Sequence, residues 1–304
     1  MGGGHDHGVA AGADRRPLVA ALAVLLAYLV AEVVAALLTD SLALLSDAGH
    51  LLTDVGALAI ALWAIRVSAR PASDRWTYGW QRVEILSALA NAVVLLMIAV
   101  LVTVEAVRRL VGPSPSVDAG PVLAVALVGV AVNVLTTWLL ARADRRSLNV
   151  RGAYLHLLTD LYGFIGTAVA AVVILLTGWD RADAVASLLV AALLVRAGWG
   201  LLVASCRVLL QAAPDDLDLA AVREHLQQVE QVRGVHDLHV WTLTSGLPVL
   251  SAHLVVDDAC FSDGHAPQVL DRVQDCLGGH FDVAHSTFQL EPPAHAAHEH
   301  GAHD

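Results

Sequence analysis

Residues 43–54 read ALLSDAGHLLTD, and residues 153–163 read AYLHLLTDLYG. Both stretches are as apolar as a buried helix, yet the first carries Asp47, His50 and Asp54 and the second His156 and Asp160. In each, a histidine is followed four residues later by an aspartate. On an α-helix, residues four apart sit about 40° apart around the axis and about 6 Å apart along it. His50 and Asp54 therefore share one helix face, and His156 and Asp160 share another. If those faces meet, two imidazole nitrogens and two carboxylates converge, a set suited to tetrahedral Zn²⁺. An aspartate at the centre of a membrane helix costs about 2.5–3.5 kcal/mol on insertion scales, and such residues mark pathways more often than packing.

The surrounding chain makes a membrane setting the natural one. It has 304 residues, 57% of them hydrophobic, and a mean hydropathy of +0.63. That is too apolar for an ordinary soluble domain. Six apolar stretches run over about 17–39, 42–66, 83–110, 117–141, 153–177 and 182–207. Each is near or above the ~20 residues that cross the hydrocarbon core. Turn chemistry separates them at Thr39-Asp40-Ser41, Gly112-Pro113-Ser114-Pro115 and Gly178-Trp179-Asp180. Arg15-Arg16 before the first stretch imitates a twin-arginine signal. The stretch is long enough to span, however, and no small-residue cleavage site follows it, so it reads as the first membrane helix.

Arginine sets the orientation, because the chain contains no lysine. Arg15, Arg16, Arg66, Arg70, Arg75, Arg82, Arg142, Arg145, Arg146 and Arg151 fall on one side of a six-helix arrangement; Arg108, Arg109 and Arg181 fall on the other. The richer side is expected to be the cytoplasm, with both termini there. The abundance of Ala, Val and Arg in place of Lys points to a GC-rich bacterial genome, hence to the plasma (inner) membrane.

After Gln211 the composition turns polar. LDLAAVREHLQQVEQV has helical spacing, with Asp215 or Asp216 placed to cap it. HDLHVWTLT and LPVLSAHLVVDD read as strands joined at Ser245-Gly246. APQVLDRVQDCL reads as a helix ending at Gly278-Gly279, and VAHSTFQLE as a last strand. The order αββαβ predicts a small two-layer sandwich. The expected organisation is a His-containing tail over 1–16, a six-helix membrane domain over 17–210, an αββαβ domain over 211–293 and a His-rich tail over 294–304. Both tails have the composition of disordered, loosely metal-holding tracts.

Several function classes fall away. The formal net charge is −11 and there is no basic stripe, which argues against a nucleic-acid partner. Cys206, Cys260 and Cys276 form neither a CxxC pair nor a disulfide framework. There is no HExxH and no Walker A motif, which removes the ordinary zinc protease and ATP-driven readings. A membrane enzyme that activates water needs an open coordination position, whereas a four-ligand set is closed. Glu32, Asn91, Asn133 and Asp47 read as interhelical hydrogen bonds or pathway lining. With both aspartates ionised and both histidines neutral, the paired set carries two buried negative charges that either one Zn²⁺ or protons cancel. Metal and protons then compete for the same groups.

DSLALLSDAGHLLTDVGAL, WTYGWQRVEIL, LHLLTD and GVHDLHVWTLTSGLPVLSAH together resemble the cation diffusion facilitator family, in its zinc-type branch. The resemblance runs from the first helix to Glu291. It implies six transmembrane helices, a cytoplasmic αββαβ domain similar to metallochaperones, and a homodimer. It also implies proton-coupled export of zinc from the cytoplasm, with no cofactor beyond a structural or regulatory Zn²⁺. The family's transport site falls on His50, Asp54, His156 and Asp160. A histidine at the first of these positions goes with zinc preference. The family's cytoplasmic zinc site matches His236, His253 and His285, with His265 a weaker candidate. Strand alternation agrees, since His253 and His285 stand opposite apolar neighbours, whereas His239 is expected to point away from His236. The loop RPASDRWTYGWQRVE has Trp76 and Trp80 where some relatives have metal-binding histidines, so no site is expected there. Two alternatives stay open: a broader exporter that also takes Co²⁺ and Cd²⁺, and a membrane zinc sensor that binds without transport.

Overall fold

Long runs of Ala, Leu and Val, interrupted only at turn residues, leave helix as the one way to satisfy every backbone group inside a bilayer. The computed structural model describes residues 8–39, 42–112, 119–143, 146–281, 283 and 285–298; the side chains of residues 8–14, 39, 42–47, 50, 279 and 280 lie outside that description. The membrane helices are α1 (Gly8–Thr39), α2 (Leu42–Ser68), α3 (Val83–Val111), α4 (Ala119–Leu140), α5 (Leu148–Thr177) and α6 (Ala182–Leu209). All six carry a stretch long and apolar enough to span. α1 begins before the expected position and carries Pro17 within it. α5 begins at Leu148 because Ser147 caps it, its hydroxyl accepting from the Val150 N–H at 3.2 Å. Its far end closes at Gly178, whose φ of +70° is the left-handed conformation that glycine tolerates best.

Leu18, Leu25, Leu51, Leu58, Leu140 and Leu157 form the buried core shared by α1, α2, α4 and α5. α3 and α6 meet through Ala88, Ala92 and Leu201 and again through Leu95, Ala99 and Leu194. The opposite faces are apolar too: Leu37, Leu101, Leu176 and Trp199 are all at least 60% exposed, as expected of side chains that face lipid. Between helices, close approach depends on small residues. A Cβ on Gly129 of α4 would lie 2.3 Å from the Phe164 ring of α5. Gly129→Val is therefore expected to destabilise the bundle by about 1–3 kcal/mol. Thermal unfolding of the detergent-solubilised protein checks this, and an unchanged Tm would contradict the packing.

The loop from α2 to α3 is a compact turn. Ser73 and Trp76 exchange two backbone hydrogen bonds of 3.0 Å, and the Trp76 and Trp80 rings lie 4.4 Å apart between centroids.

The C-terminal domain comprises α7 (Leu219–Gln227), β1 (Val232–Thr244), β2 (Leu247–Val256), the short α8 (Ala259–Ser262), α9 (Ala266–His280), β3 (His285–Glu291) and the short α10 (Pro293–Ala296). The sheet order is β1-β2-β3, with β1 antiparallel and β3 parallel to β2. α9 supplies the crossover that a parallel pair requires. Val222 and Leu226 of α7 and Val269, Val273 and Leu277 of α9 pack on the sheet face that carries Leu250, Ala252 and Leu254. The two-layer αββαβ order stands, with α8 and α10 added.

Three local expectations change. The cap of α7 is Asp218, which accepts from the Ala220 N–H at 2.9 Å, whereas Asp215 pairs with Arg207. α9 runs on through Gly278 and Gly279, because neither adopts the positive φ that would end it. The third change is a bulge in β1: His236 faces His253 and His239 faces Ser251, so three steps on β1 match two on β2. Asp237, with φ of +46°, absorbs the extra residue. The bulge puts His239 on the same face as His236, not the opposite one. At the other end of the ladder Arg233 donates to both Asp257 oxygens, at 2.7 and 2.9 Å. Those hydrogen bonds hold the Asp257 carboxyl below the usual carboxylate range.

Candidate metal centres

The first centre grows from the register of α2 against α5. The helices run antiparallel, and Asn149 Nδ2 donates to the Ala61 carbonyl at 2.9 Å. Asn149 lies seven residues before His156, and Ala61 seven residues after Asp54. Pinning that pair brings Asp54 level with His156. Asp54 is fully buried and His156 is 2% exposed. His156 Nε2 stands between two carboxylates, 3.0 Å from Asp54 Oδ1 and 3.7 Å from Asp160 Oδ2. One ligand atom from each of the three residues can be chosen so that all lie within 4.8 Å of one another. Thr159 Oγ1 donates back to the Leu155 and His156 carbonyls and so stays out of the set.

Asp54 Oδ2 and His156 Nδ1 are buried with no hydrogen-bond partner among the described residues. Leaving such atoms unpaired costs about 1–3 kcal/mol each, more when charged. Donors of this kind, one nitrogen and several carboxylate oxygens, fit a borderline cation such as Zn²⁺ better than the all-oxygen cage of Ca²⁺. His50 lies on α2 one turn before Asp54, but its side chain falls outside the described residues, as does that of Asp47. Of the other polar membrane residues, Glu32, Asn91 and Asn133 are all buried. Asn133 Nδ2 donates to the Gly129 carbonyl of its own helix, at 3.1 Å, rather than across helices.

The second centre lies on the sheet face opposite α7 and α9. His236 and His253 are direct neighbours across β1 and β2, their ring centroids 5.1 Å apart. Glu291, the last residue of β3, is 1% exposed. Its Oε1 meets His236 Nε2, and its Oε2 lies 3.9 Å from His253 Nδ1. These three residues form a second cluster with ligand atoms within 4.8 Å of one another. On its other nitrogen His236 meets Asp237 at 3.2 Å, an orienting partner of the kind metal-binding histidines have.

The structure does not bring His285 and His265 to this cluster. His285 opens β3 opposite Val249, whereas the residue opposite His253 is Gln289. Four residues of strand separate those rows by about 13 Å. His265 precedes α9, which covers the other face of the sheet. Glu291 is the ligand candidate that sequence reasoning passed over. The available signal was strand parity, which puts it on the same face as His285.

Residues 18–210 match the family model described as cation efflux transmembrane domain, and residues 214–293 match that described as cation efflux protein, cytoplasmic domain. The chain is 40% identical over 291 residues to the metal cation efflux system protein CzcD of Cupriavidus metallidurans, covering 96% of this chain and 90% of that one. It is 40% identical over 285 residues to the zinc transporter ZitB of Escherichia coli, covering 93% and 89%. It is 37% identical over 294 residues to the cadmium, cobalt and zinc/H(+)-K(+) antiporter of Bacillus velezensis, covering 96% and 93%.

Proposed function

We propose that this chain, which belongs to the cation efflux family, exchanges cytoplasmic Zn²⁺ for protons through His50, Asp54, His156 and Asp160. That it is a multi-pass efflux transporter and not an enzyme follows from the family and its six spans. The observation that carries the finer reading is the buried set in which His156 Nε2 lies 3.0 Å from Asp54 and 3.7 Å from Asp160.

The mechanism follows from charge. A cavity holding two carboxylates in a low-dielectric bundle needs about two positive charges to be tolerable. Zn²⁺ supplies both at once; protons on the carboxylates or imidazoles supply them one at a time. Zn²⁺ binding therefore expels protons, and protons arriving from the far side expel Zn²⁺. When the set faces the two sides in turn, that competition couples the two flows. His50 lies one helical turn from Asp54 on α2 and would add a second imidazole to the set. The name of the Bacillus relative includes protons, and that of the Escherichia relative names zinc, which supports the same cargo and counter-ion here.

Cytoplasmic termini, a plasma-membrane location and a homodimer belong to the same proposal. The arginine asymmetry supports the first, and the dimerisation domain matched by residues 214–293 supports the last. On the C-terminal domain, His236, His253 and Glu291 would hold a resident Zn²⁺ that stabilises or regulates the protein.

A broader divalent cargo is the second reading, favoured because the Bacillus velezensis relative is named for cadmium, cobalt and zinc. Affinity order among divalent metals does not by itself choose the cargo, because geometry, ligand type and metal availability set selectivity. Proteoliposomes with an imposed pH gradient test both points. Zinc flux is expected to follow the gradient and to collapse with it, and competition by each metal sets the selectivity. Zinc binding with no flux under any gradient would overturn transport in favour of a sensor.

A further inference from the structure

The carboxylate of Glu291 has one more neighbour than the pair of sheet histidines. Its Oε2 lies 3.7 Å from Nε2 of His295, closer than to His253 Nδ1 at 3.9 Å. His295 comes from α10, at the start of the His-rich tail, and α10 lies against β2, the strand that carries His253.

The local sequence explains the return. Pro292 and Pro293 follow Glu291 directly, and Pro292 is extended, with φ of −76° and ψ of 155°. Proline fixes φ and is well placed in the first turn of a helix. The chain then makes one turn, with the His295 N–H donating to the Pro292 carbonyl at 2.9 Å and the Ala297 N–H to the Pro293 carbonyl at 3.1 Å. That turn carries the His295 ring back over the end of β3.

A four-residue helix does not hold itself together in water, since helix nucleation is unfavourable. The contact of His295, 46% exposed, with a carboxylate contributes little by itself. Something else has to favour this arrangement, and the donor set indicates what. His236, His253 and Glu291 hold two imidazoles and a carboxylate with ligand atoms within 4.8 Å of one another, and His295, 3.7 Å from Glu291, stands at the edge of that group as a third imidazole. Three nitrogens and an oxygen make a complete tetrahedral zinc set, whereas three donors leave a position open.

We infer that His295 is a fourth ligand of the C-terminal metal site, so that zinc bound there clamps the start of the His-rich tail onto the sheet. The inference rests on the reading that His236, His253 and Glu291 hold zinc. It adds a consequence: the turn over residues 292–298 is held on the sheet when the site is loaded and released when it is empty.

Peptide-resolved hydrogen exchange on the full-length protein, with and without Zn²⁺, tests this. In wild type, zinc is expected to slow exchange of the His295, Ala296 and Ala297 amides at least ten-fold. His295→Ala is expected to lose that protection and to weaken zinc binding at the domain about ten-fold or more. His298→Ala, one residue type in the same tail, is expected to keep both. Wild-type zinc affinity in His295→Ala, or no zinc-dependent protection of these amides in wild type, would overturn the clamp while leaving the three-residue site standing. Zinc binding at the domain that survives both His236→Ala and His253→Ala would remove the site itself, and the clamp with it.

Discussion

Asp54→Ala is expected to reduce zinc flux by more than about 100-fold while leaving the protein folded. The magnitude follows from what the carboxylate does. Asp54 is fully buried, and its Oδ1 meets His156 Nε2 at 3.0 Å. Losing a partner that merely orients a ligand already costs 10–100-fold in affinity or activity, so losing a direct ligand costs more. Removing the carboxylate also leaves the empty site one negative charge short, which halves the electrostatic demand for a divalent ion. The fold should survive, because Asp54 Oδ2 is buried without a hydrogen-bond partner among the described residues, and Asp160 Oδ2 stays 3.7 Å from His156 Nε2 when Asp54 is gone, so the imidazole is not left isolated. Asp54→Asn keeps the shape and removes the charge, and is expected to fail in transport as well. Flux into proteoliposomes and the Tm of the same preparations are the paired measurements. Near-wild-type flux in either variant would rule out this set as the transport site.

The membrane half of the molecule is legible because its rules are local. Twenty apolar residues have one structure available to them in a bilayer, and a His and an Asp four apart on such a helix share a face wherever the helix lies. Arginine counts and turn residues need no tertiary information either. What the sequence does not carry is which faces meet. The Asn149–Ala61 hydrogen bond that sets α2 level with α5 is a contact between residues 88 apart, and nothing local announces it.

The C-terminal domain shows the limit more sharply. Alternation assigns His253, His285 and Glu291 to one face, but face is only half of a position. The parallel register of β3 on β2 decides which of its residues stands beside His253, and that register depends on the α9 crossover. His285 and Glu291 are six residues apart on one strand, about 20 Å, so the same face holds one in the cluster and one well outside it. His239 failed for a different reason. A single residue, Asp237 in the left-handed region, shifts the parity of everything before it relative to everything after. A histidine-centred search also passes over Glu291, whose acceptor oxygens make it the hub of the cluster.

The apparent affinity of the membrane site for zinc is expected to fall about 100-fold as pH drops from about 7.5 to about 5.5, with most of the loss below about 6.5. Each group that must shed a proton to bind the metal contributes up to about ten-fold per unit below its own pKa, and an ordinary imidazole titrates near 6.5. The sign is fixed: zinc requires the deprotonated forms, so acid weakens binding and alkali strengthens it until every ligand is bare. The slope of log affinity against pH then counts the protons that one Zn²⁺ displaces. That number is the stoichiometry that exchange by competition would use, obtained at equilibrium and without a vesicle. The measurement is zinc titration of the purified protein at several pH values against a chelator of known pH dependence. His236→Ala with His253→Ala in the background removes the second centre from the signal. In that background His156→Ala should flatten the slope by about one proton as well as weakening binding, because a ligand that is absent has no proton to lose. A merely structural histidine would lower the whole curve without changing its slope. A slope of zero in the parent protein would mean that zinc and protons do not share these groups. Coupling, if present, would then need a separate proton path through residues such as Glu32, which is buried in α1.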